Sequence, residues 1–364
     1  MRVLIAAGGT GGHVMPALAV ARALRERGDE VLWLGTATGL EARVVPAAGF
    51  ALEVLRVRGL RGSGAGRLLA APLVLTRALW GALGVLRRFR PGAVLAMGGF
   101  AAAPGGVAAW LTRVPLVVHE QNARPGLTNR LLGRFARECL AGFAGVRLGR
   151  KAARAVGNPV RAELLGLPDA LSRGVDQGGL RLLVLGGSQG ARGLNTLLPH
   201  ALKAARAAGA SSIEVRHQTG AADVDAVTGA YRTLGVPAQV TPFIEDMAGA
   251  YGWANLVVCR AGALTLAELC AVGVGSVLVP FPHAADDHQT ANAHALVQGG
   301  AAHLYAQHAL DAETLGALLM RYARDGQARL ALAQAARLLA RPDATAAVVA
   351  CLAQCAGTPG AAHA

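Results

Sequence analysis

A chain of 364 residues, 53% hydrophobic but only 4% aromatic, has room for two domains, and its excess of Ala, Val and Leu argues against an all-β sandwich. Its formal charge of +14 is one-sided: residues 1–160 carry 22 Lys+Arg against 7 Asp+Glu, a net +15, and the remainder carries 14 against 15, a net −1. That asymmetry points to an anionic partner (a membrane surface, a phosphorylated substrate or nucleic acid) against the plain alternative of a solvated Arg-rich surface.

The start, MRVLIAAGGTGGH, reads as a strand running into a glycine loop, because its apolar run is too short for a signal peptide. Apolar runs at 3–6, 31–34, 94–97 and 116–119 predict buried strands, and helical patterns at 16–27, 67–88, 105–112 and 127–136 alternate with them. The stretch 68–86 approaches the length of a membrane span, but Pro72, Arg77, Gly81 and Gly84 interrupt it; an interfacial or half-buried helix is expected. The rhythm then restarts, with strands at 182–185, 213–217, 256–259 and 277–279 and helices at 194–207, 222–234, 263–272 and 289–299. Two α/β, doubly wound Rossmann-like domains with parallel sheets follow, divided near Gly157-Asn158-Pro159 into 1–158 and 159–340. Residues 341–364 supply a last helix, able to return to the first domain, and a flexible small-residue tail. Cys139, Cys259, Cys270, Cys351 and Cys355 are too scattered for a disulfide framework or a zinc site and read as ordinary thiols of a reducing cytosol.

Ligands of open parallel sheets bind beyond the carboxyl ends of the strands, where this sequence places its glycines. GGTGGH at 8–13 can turn successive N–H groups toward an anion, although Val14 stands where a dinucleotide fingerprint needs glycine. Gly98 and Gly99 through Gly105 and Gly106 form a second such loop, and GGSQGAR at 186–192 a third. Each alone could be a tight turn; three at strand ends favour phosphate binding at a cleft. In CRAGALTLAE at 259–268, Glu268 lies one turn into a helix, where a carboxylate can accept two hydrogen bonds from a ribose diol. The polar loop from Pro280 to Asn292 is suited to sugar hydroxyls; the spacings of His283, His288 and His294 argue against a metal. Asp223-Val224-Asp225 reads as a helix cap. His13 is a candidate general base, with a structural role the even alternative, and His119 is expected to serve a structural hydrogen bond.

These motifs, in order from residue 8 to 293, resemble the MurG family of glycosyltransferases: GGTGGHVMPALAVA, MGGFAAAPGG, HEQN, GNPVR, GGSQGAR, CRAGALTLAE and PFPHAADDHQTANA. The resemblance implies a GT-B fold, two Rossmann-like domains facing across a cleft, the first for acceptor and membrane and the second for donor. It implies an inverting transfer of N-acetylglucosamine from UDP-GlcNAc to the 4-hydroxyl of lipid I, giving lipid II for peptidoglycan. By motif match, Ser188 would hold diphosphate, Ile244 would meet uracil through its backbone, and Arg161 would reach the nucleotide. Ala263, Leu264, Thr265, Leu266, Ala267 and Glu268 would cover phosphates and ribose, and Gln289 would read the sugar. Thr10, Gly11, Gly12 and Asn122 would complete the donor site, with His13 as base; Gly98, Gly99, Gly105, Gly106 and His119 fall in the acceptor and diphosphate loops. His288 stands where some relatives have glutamine.

The expected chemistry needs no metal or other cofactor, because helix N-termini can carry the leaving diphosphate's charge. The basic, apolar surface around 56–90 would seat the protein peripherally on the cytoplasmic face of the membrane, with other cell-wall synthesis proteins as further partners. Two other readings remain open: a UDP-GlcNAc 2-epimerase, which would need no basic acceptor face, and a non-catalytic UDP-sugar or lipid-binding scaffold. Few aromatics and the lack of a nucleic-acid motif argue against a nucleic-acid partner.

Overall fold

The computed structural model describes residues 1–55, 65–187, 190–210, 212–282 and 284–357, with side chains 65–72 and 285 outside the description. Two compact units result, one of residues 1–160 with the chain from Pro342 onward, the other Arg161–Arg341.

In the first unit the order is β1 (Arg2–Ala7), α1 (Gly11–Glu26), β2 (Glu30–Thr36), α2 (Glu41–Ala47), β3 (Ala51–Leu55), α3 (Ala65–Phe89) and β4 (Ala93–Gly98). It continues with α4 (Ala102–Leu111), β5 (Leu116–Glu120), α5 (Leu127–Leu132), β6 (Glu138–Ala141) and three two-residue strands, β7 (Arg147–Leu148), β8 (Lys151–Ala152) and β9 (Arg154–Ala155). The sheet order β3-β2-β1-β4-β5-β6-β9 is parallel throughout, and β7 and β8 form a separate antiparallel pair. Strands β1, β4 and β5 are buried on both faces because helices cover both, which is why their sequence shows apolar runs at 3–7, 93–97 and 116–118. The face of Leu4, Ala6 and Val94 packs under α3, α4 and α5, and that of Val3, Ile5 and Leu95 under α1.

The second unit runs α6 (Ala162–Leu165), β10 (Leu180–Leu185), α7 (Arg192–Ala207), β11 (Ile213–Gln218), α8 (Val224–Thr233), β12 (Gln239–Thr241), α9 (Met247–Trp253) and β13 (Leu256–Cys259). Next come α10 (Ala263–Val272), β14 (Ser276–Leu278), α11 (His288–Gln298), β15 (Ala302–Leu304), α12 (Ala312–Arg324) and α13 (Gly326–Leu338). Its parallel sheet has the order β12-β11-β10-β13-β14-β15. In both sheets the first strand in sequence lies inside, and the chain reverses direction beside it, at β1/β4 and β10/β13, opening a crevice at the strand ends.

The last helix, α14 (Ala344–Gly357), belongs to the first unit, where Val348, Leu352, Cys351 and Cys355 are buried with α1 and β4. Burying the Val348 and Leu352 side chains contributes about 1.5–3 kcal/mol each. All five cysteines are buried free thiols. The expected Asp223 cap is corrected: the residue precedes α8, but its side chain caps nothing and instead accepts from Asn195 Nδ2 at 2.8 Å.

Candidate functional site

In the first unit the glycine loops after β1 and β4 are packed together. Gly98 and Gly99 adopt φ of +99° and +82°, and Gly8 N–H donates to the Gly98 carbonyl at 3.4 Å. A Cβ on Gly98 would stand 2.8 Å from the His13 ring, and one on Gly99 would overlap the Gly8 carbonyl. Glycine is required at both for close approach as well as for φ. Thr10 is the N-cap of α1, so the amides of Gly11 and Gly12 are first-turn donors without a helical partner, and the half-buried His13 closes that turn. Gly105 and Gly106 correct the expectation for the second loop. They lie inside α4 and not in a loop, and a Cβ would press on Leu34 and on Leu132 at 2.9 Å and 2.6 Å, so they serve helix packing.

The HEQN segment is a polar clasp. Glu120, 1% exposed, accepts from Asn122 N and Nδ2 through Oε1, and from Gly126 N and Asn129 Nδ2 through Oε2, at 2.9–3.1 Å. His119 is wholly buried, with Nε2 2.9 Å from the Gly157 carbonyl and Nδ1 3.2 Å from Gln121 Nε2. Burial holds its imidazole below the usual value, against the pull of that carbonyl and of Glu120. With both nitrogens engaged inside the protein, His119 shapes the loop and does not face a ligand. Glu120 itself was not singled out from sequence, although it stands in the motif.

In the second unit, Gly262 precedes α10, whose first turn offers its amides, and Glu268 lies one turn further in, 3% exposed. The carboxylate is not waiting empty. Oε1 accepts from Arg161 Nε at 3.0 Å and Nη2 at 2.7 Å, and Oε2 accepts from the Tyr251 hydroxyl at 3.1 Å. Three of about four lone-pair sites are thus filled. Burial pushes the Glu268 carboxyl up, while Arg161 and Tyr251 pull it back. Tyr251 carries no sequence signal, being an aromatic residue in a short helix.

The loop after β10 is held from below. Gln218 Oε1 accepts from Gly187 N at 3.0 Å, and its Nε2 donates to the carbonyls of Gly187 and Pro242 at 3.0 and 3.1 Å. Ser188 of this loop and His283 lie outside the described residues. Ile244 lines a pocket of about 270 Å³ with Arg216, Thr241, Phe243 and Asp246, large enough for a heterocyclic base. Gln289, at the start of α11, accepts from Phe281 N at 2.9 Å and so fixes the polar loop it belongs to. Among the described residues no cluster of three His, Cys, Asp or Glu could hold a metal ion.

One surface feature was only partly legible. Helix α3 buries Ala78, Ala82, Leu83, Val85 and Leu86 and leaves Leu73 and Trp80 outside, at 58% and 64% exposure. The neighbouring helices add exposed Trp110 and Leu111 on α4 and Leu127 and Leu131 on α5, and Phe135 follows α5 with its ring 4.8 Å from that of Trp110. Exposed Arg77, Arg113, Arg130 and Arg134 lie among them in the chain. No helix of the described residues is long and apolar enough to cross a membrane.

Residues 3–141 match the glycosyltransferase family 28 N-terminal domain and residues 181–348 its C-terminal domain. A protein of Alkalilimnicola ehrlichii, called UDP-N-acetylglucosamine--N-acetylmuramyl-(pentapeptide) pyrophosphoryl-undecaprenol N-acetylglucosamine transferase, is 57% identical over 349 residues, 96% of this chain and 97% of that one. A protein of the same name from Marinobacter nauticus is 52% identical, with 96% of each chain covered. Among solved structures, Acinetobacter baumannii MurG superimposes with a TM-score of 0.82 at 38% identity, covering 97% of this chain and 99% of that one. A UDP-N-acetylglucosamine 2-epimerase of Listeria monocytogenes gives 0.67 at 14% identity, covering 96% and 95%, a likeness of fold alone.

Proposed function

We propose that this chain, which belongs to the MurG family of glycosyltransferases, transfers N-acetylglucosamine from UDP-GlcNAc to the 4-hydroxyl of lipid I, forming lipid II for peptidoglycan. The observation that carries the reading is the near-full-length identity of 57% to a transferase of that name. The 2-epimerase alternative has only a fold-level likeness at 14% identity behind it.

The reaction is a displacement at the anomeric carbon, with the acceptor oxygen entering opposite the departing UDP and the configuration inverting from α to β. His13, at the meeting of two glycine loops, takes the acceptor proton; an imidazole is suited to that near neutral pH. The first turn of α10 and the loop after β10 stabilise the negative charge arriving on the diphosphate, which calls for no metal. Arg161, Glu268 and Tyr251 form the nucleotide end of the site, and the Ile244 pocket takes uracil. Gln289 reads a sugar hydroxyl through its amide nitrogen.

Lipid I lies in a bilayer, and the exposed apolar residues of α3, α4 and α5 are the surface that meets it. Arginines around them supply attraction to anionic headgroups, up to about 1 kcal/mol for each one near the surface. That arrangement supports peripheral membrane binding, proposed here for the cytoplasmic face, with other cell-wall synthesis proteins as further proposed partners.

Transfer of labelled GlcNAc to a short-chain lipid I analogue tests the reading, with Glu268→Ala and His13→Ala beside the wild type. Wild-type transfer is expected, weakened in Glu268→Ala through donor binding and in His13→Ala through kcat. Firm UDP-GlcNAc binding without transfer by the wild type would overturn it and favour the epimerase or scaffold.

A further inference from the structure

Glu41 opens α2 and is completely buried. Among the described residues it makes no ion pair. Its Oε1 accepts from Thr36 N at 2.9 Å and Thr36 Oγ1 at 2.6 Å, and its Oε2 accepts from Gly9 N at 2.9 Å. A buried carboxylate is costly even when every oxygen is met by a donor, and an apolar residue would close α2 on β2 more cheaply.

The surrounding backbone is cleared for this one side chain. A Cβ on Gly8 would stand 2.5 Å from Oε1, one on Gly35 would stand 2.7 Å from Cγ, and one on Gly39 would overlap the carboxylate. Three segments thus give up side chains to admit one acid. What the acid holds is Gly9, at φ +94°, the first turn residue of the loop that leads to Thr10, Gly11, Gly12 and His13. By taking the Gly9 N–H, Glu41 also removes that amide from the loop's outward donors and leaves the first turn of α1 to face a ligand.

We propose that Glu41 is a positioning residue for transfer: acting through Gly9, it fixes the loop that presents the α1 N-terminus and the His13 ring. The functional half of this inference rests on the reading given above; the anchoring half does not.

The discriminating variant is Glu41→Gln. It keeps size and shape, but an amide has one acceptor and one donor end. If its oxygen serves Thr36, its NH2 group confronts the Gly9 N–H; turned over, it confronts the Thr36 N–H. Hydrogen exchange of the 8–13 amides is expected to rise about tenfold or more in Glu41→Gln, with β4 and β5 amides within about twofold of wild type. In the transfer assay kcat falls about thirtyfold, whereas the dissociation constant for uridine, whose proposed contacts (the Ile244 pocket, Arg161 and Glu268) all lie in the second unit, stays within about twofold. Unchanged exchange at 8–13, or an unchanged kcat in a transferring wild type, overturns the proposal. Should Glu41→Gln fail to fold, Thr36→Val removes one donor and leaves the Gly9 bond. A smaller, parallel rise in exchange and fall in kcat is then expected, and no change in either overturns it. If the wild type does not transfer at all, the activity reading fails, and the exchange experiment still decides whether Glu41 anchors the loop.

Discussion

His217 sets an acid limit on the second unit. It is wholly buried on β11, with Nδ1 3.0 Å from the Tyr231 hydroxyl and Nε2 3.1 Å from Asn195 Oδ1. Asn195 Nδ2 donates to the Thr219 carbonyl and to Asp223, so its Oδ1 is the acceptor and the imidazole carries its proton on Nε2. A second proton would reverse the bond, with Nδ1–H donating to the Tyr231 oxygen, and burial lowers the protonation point from 6.5 to about 4. The folded pKa is depressed, so the fold gains nothing from this group above pH 6.5 and is penalised as the unfolded chain protonates first. At pH 5 that penalty is about 2 kcal/mol, rising to about 3.5 kcal/mol below pH 4. Glutamine can donate to Asn195 and accept from Tyr231 without titrating, so His217→Gln should abolish the slope. The assay is hydrogen exchange of the β10, β11 and β13 amides at pH 7 and pH 5, each variant compared with wild type at the same pH so that intrinsic rates cancel. His217→Gln should gain about 2 kcal/mol relative to wild type between the two pH values. An equal pH dependence in both proteins would refute the reasoning.

Two further outcomes follow from the geometry. Tyr251→Phe removes one donor from Glu268 and should raise the donor KM about tenfold with kcat little changed, since a hydrogen bond to a charged group contributes about 1.5–3 kcal/mol of which orientation is a part. Burial already lifts the Glu268 carboxyl above 4.5, so donor affinity is lost as pH falls through the raised value, and Tyr251→Phe should move that acid limb to higher pH; a KM within twofold at every pH would count against it. Trp80→Ala should weaken sedimentation with anionic vesicles about tenfold or more, as burial of a large apolar side chain contributes about 1.5–3 kcal/mol. Equal binding to neutral vesicles, unaffected by the substitution, would remove α3 from the membrane surface.

The legible part of the fold is the part where burial is two-sided. Strands β1, β4, β5, β10 and β13 each carry an apolar run of three or more residues and show in the sequence, whereas β3, β12 and β15 are short strands at or near a sheet edge whose mixed residues carry little pattern. Helix α2 was missed because it has only seven residues, Pro46 among them, and its first residue is an acid buried for a reason that lies elsewhere in the chain. Glycine loops could be found from sequence, but not sorted. Nothing in MGGFAAAPGG says that Gly98 and Gly99 turn while Gly105 and Gly106 pack, because the distinction rests on Leu34 and Leu132 in other segments. The partners of Glu268 were invisible for the same reason: Arg161 and Tyr251 are 107 and 17 residues away.

Four glycine or turn segments share a construction that explains the number of buried polar groups near them. Gly9 is held by Glu41, Asn122 and Gly126 by Glu120, Gly187 by Gln218, and the Ala261 carbonyl by Asn292 Nδ2. In each case the holding side chain is at least mostly buried and comes from beneath the loop. Glycine-rich backbone loses more entropy on ordering than any other, so a loop that must present outward amides in fixed directions needs enthalpic anchors. Anchors made of backbone would consume the outward donors; anchors made of buried side chains take a few inward groups and leave the rest. The cost is a set of desolvated polar atoms that contribute little net stability. Substitutions of these anchors should therefore lower transfer more than they lower the melting temperature, the reverse of what core leucines beside them would do.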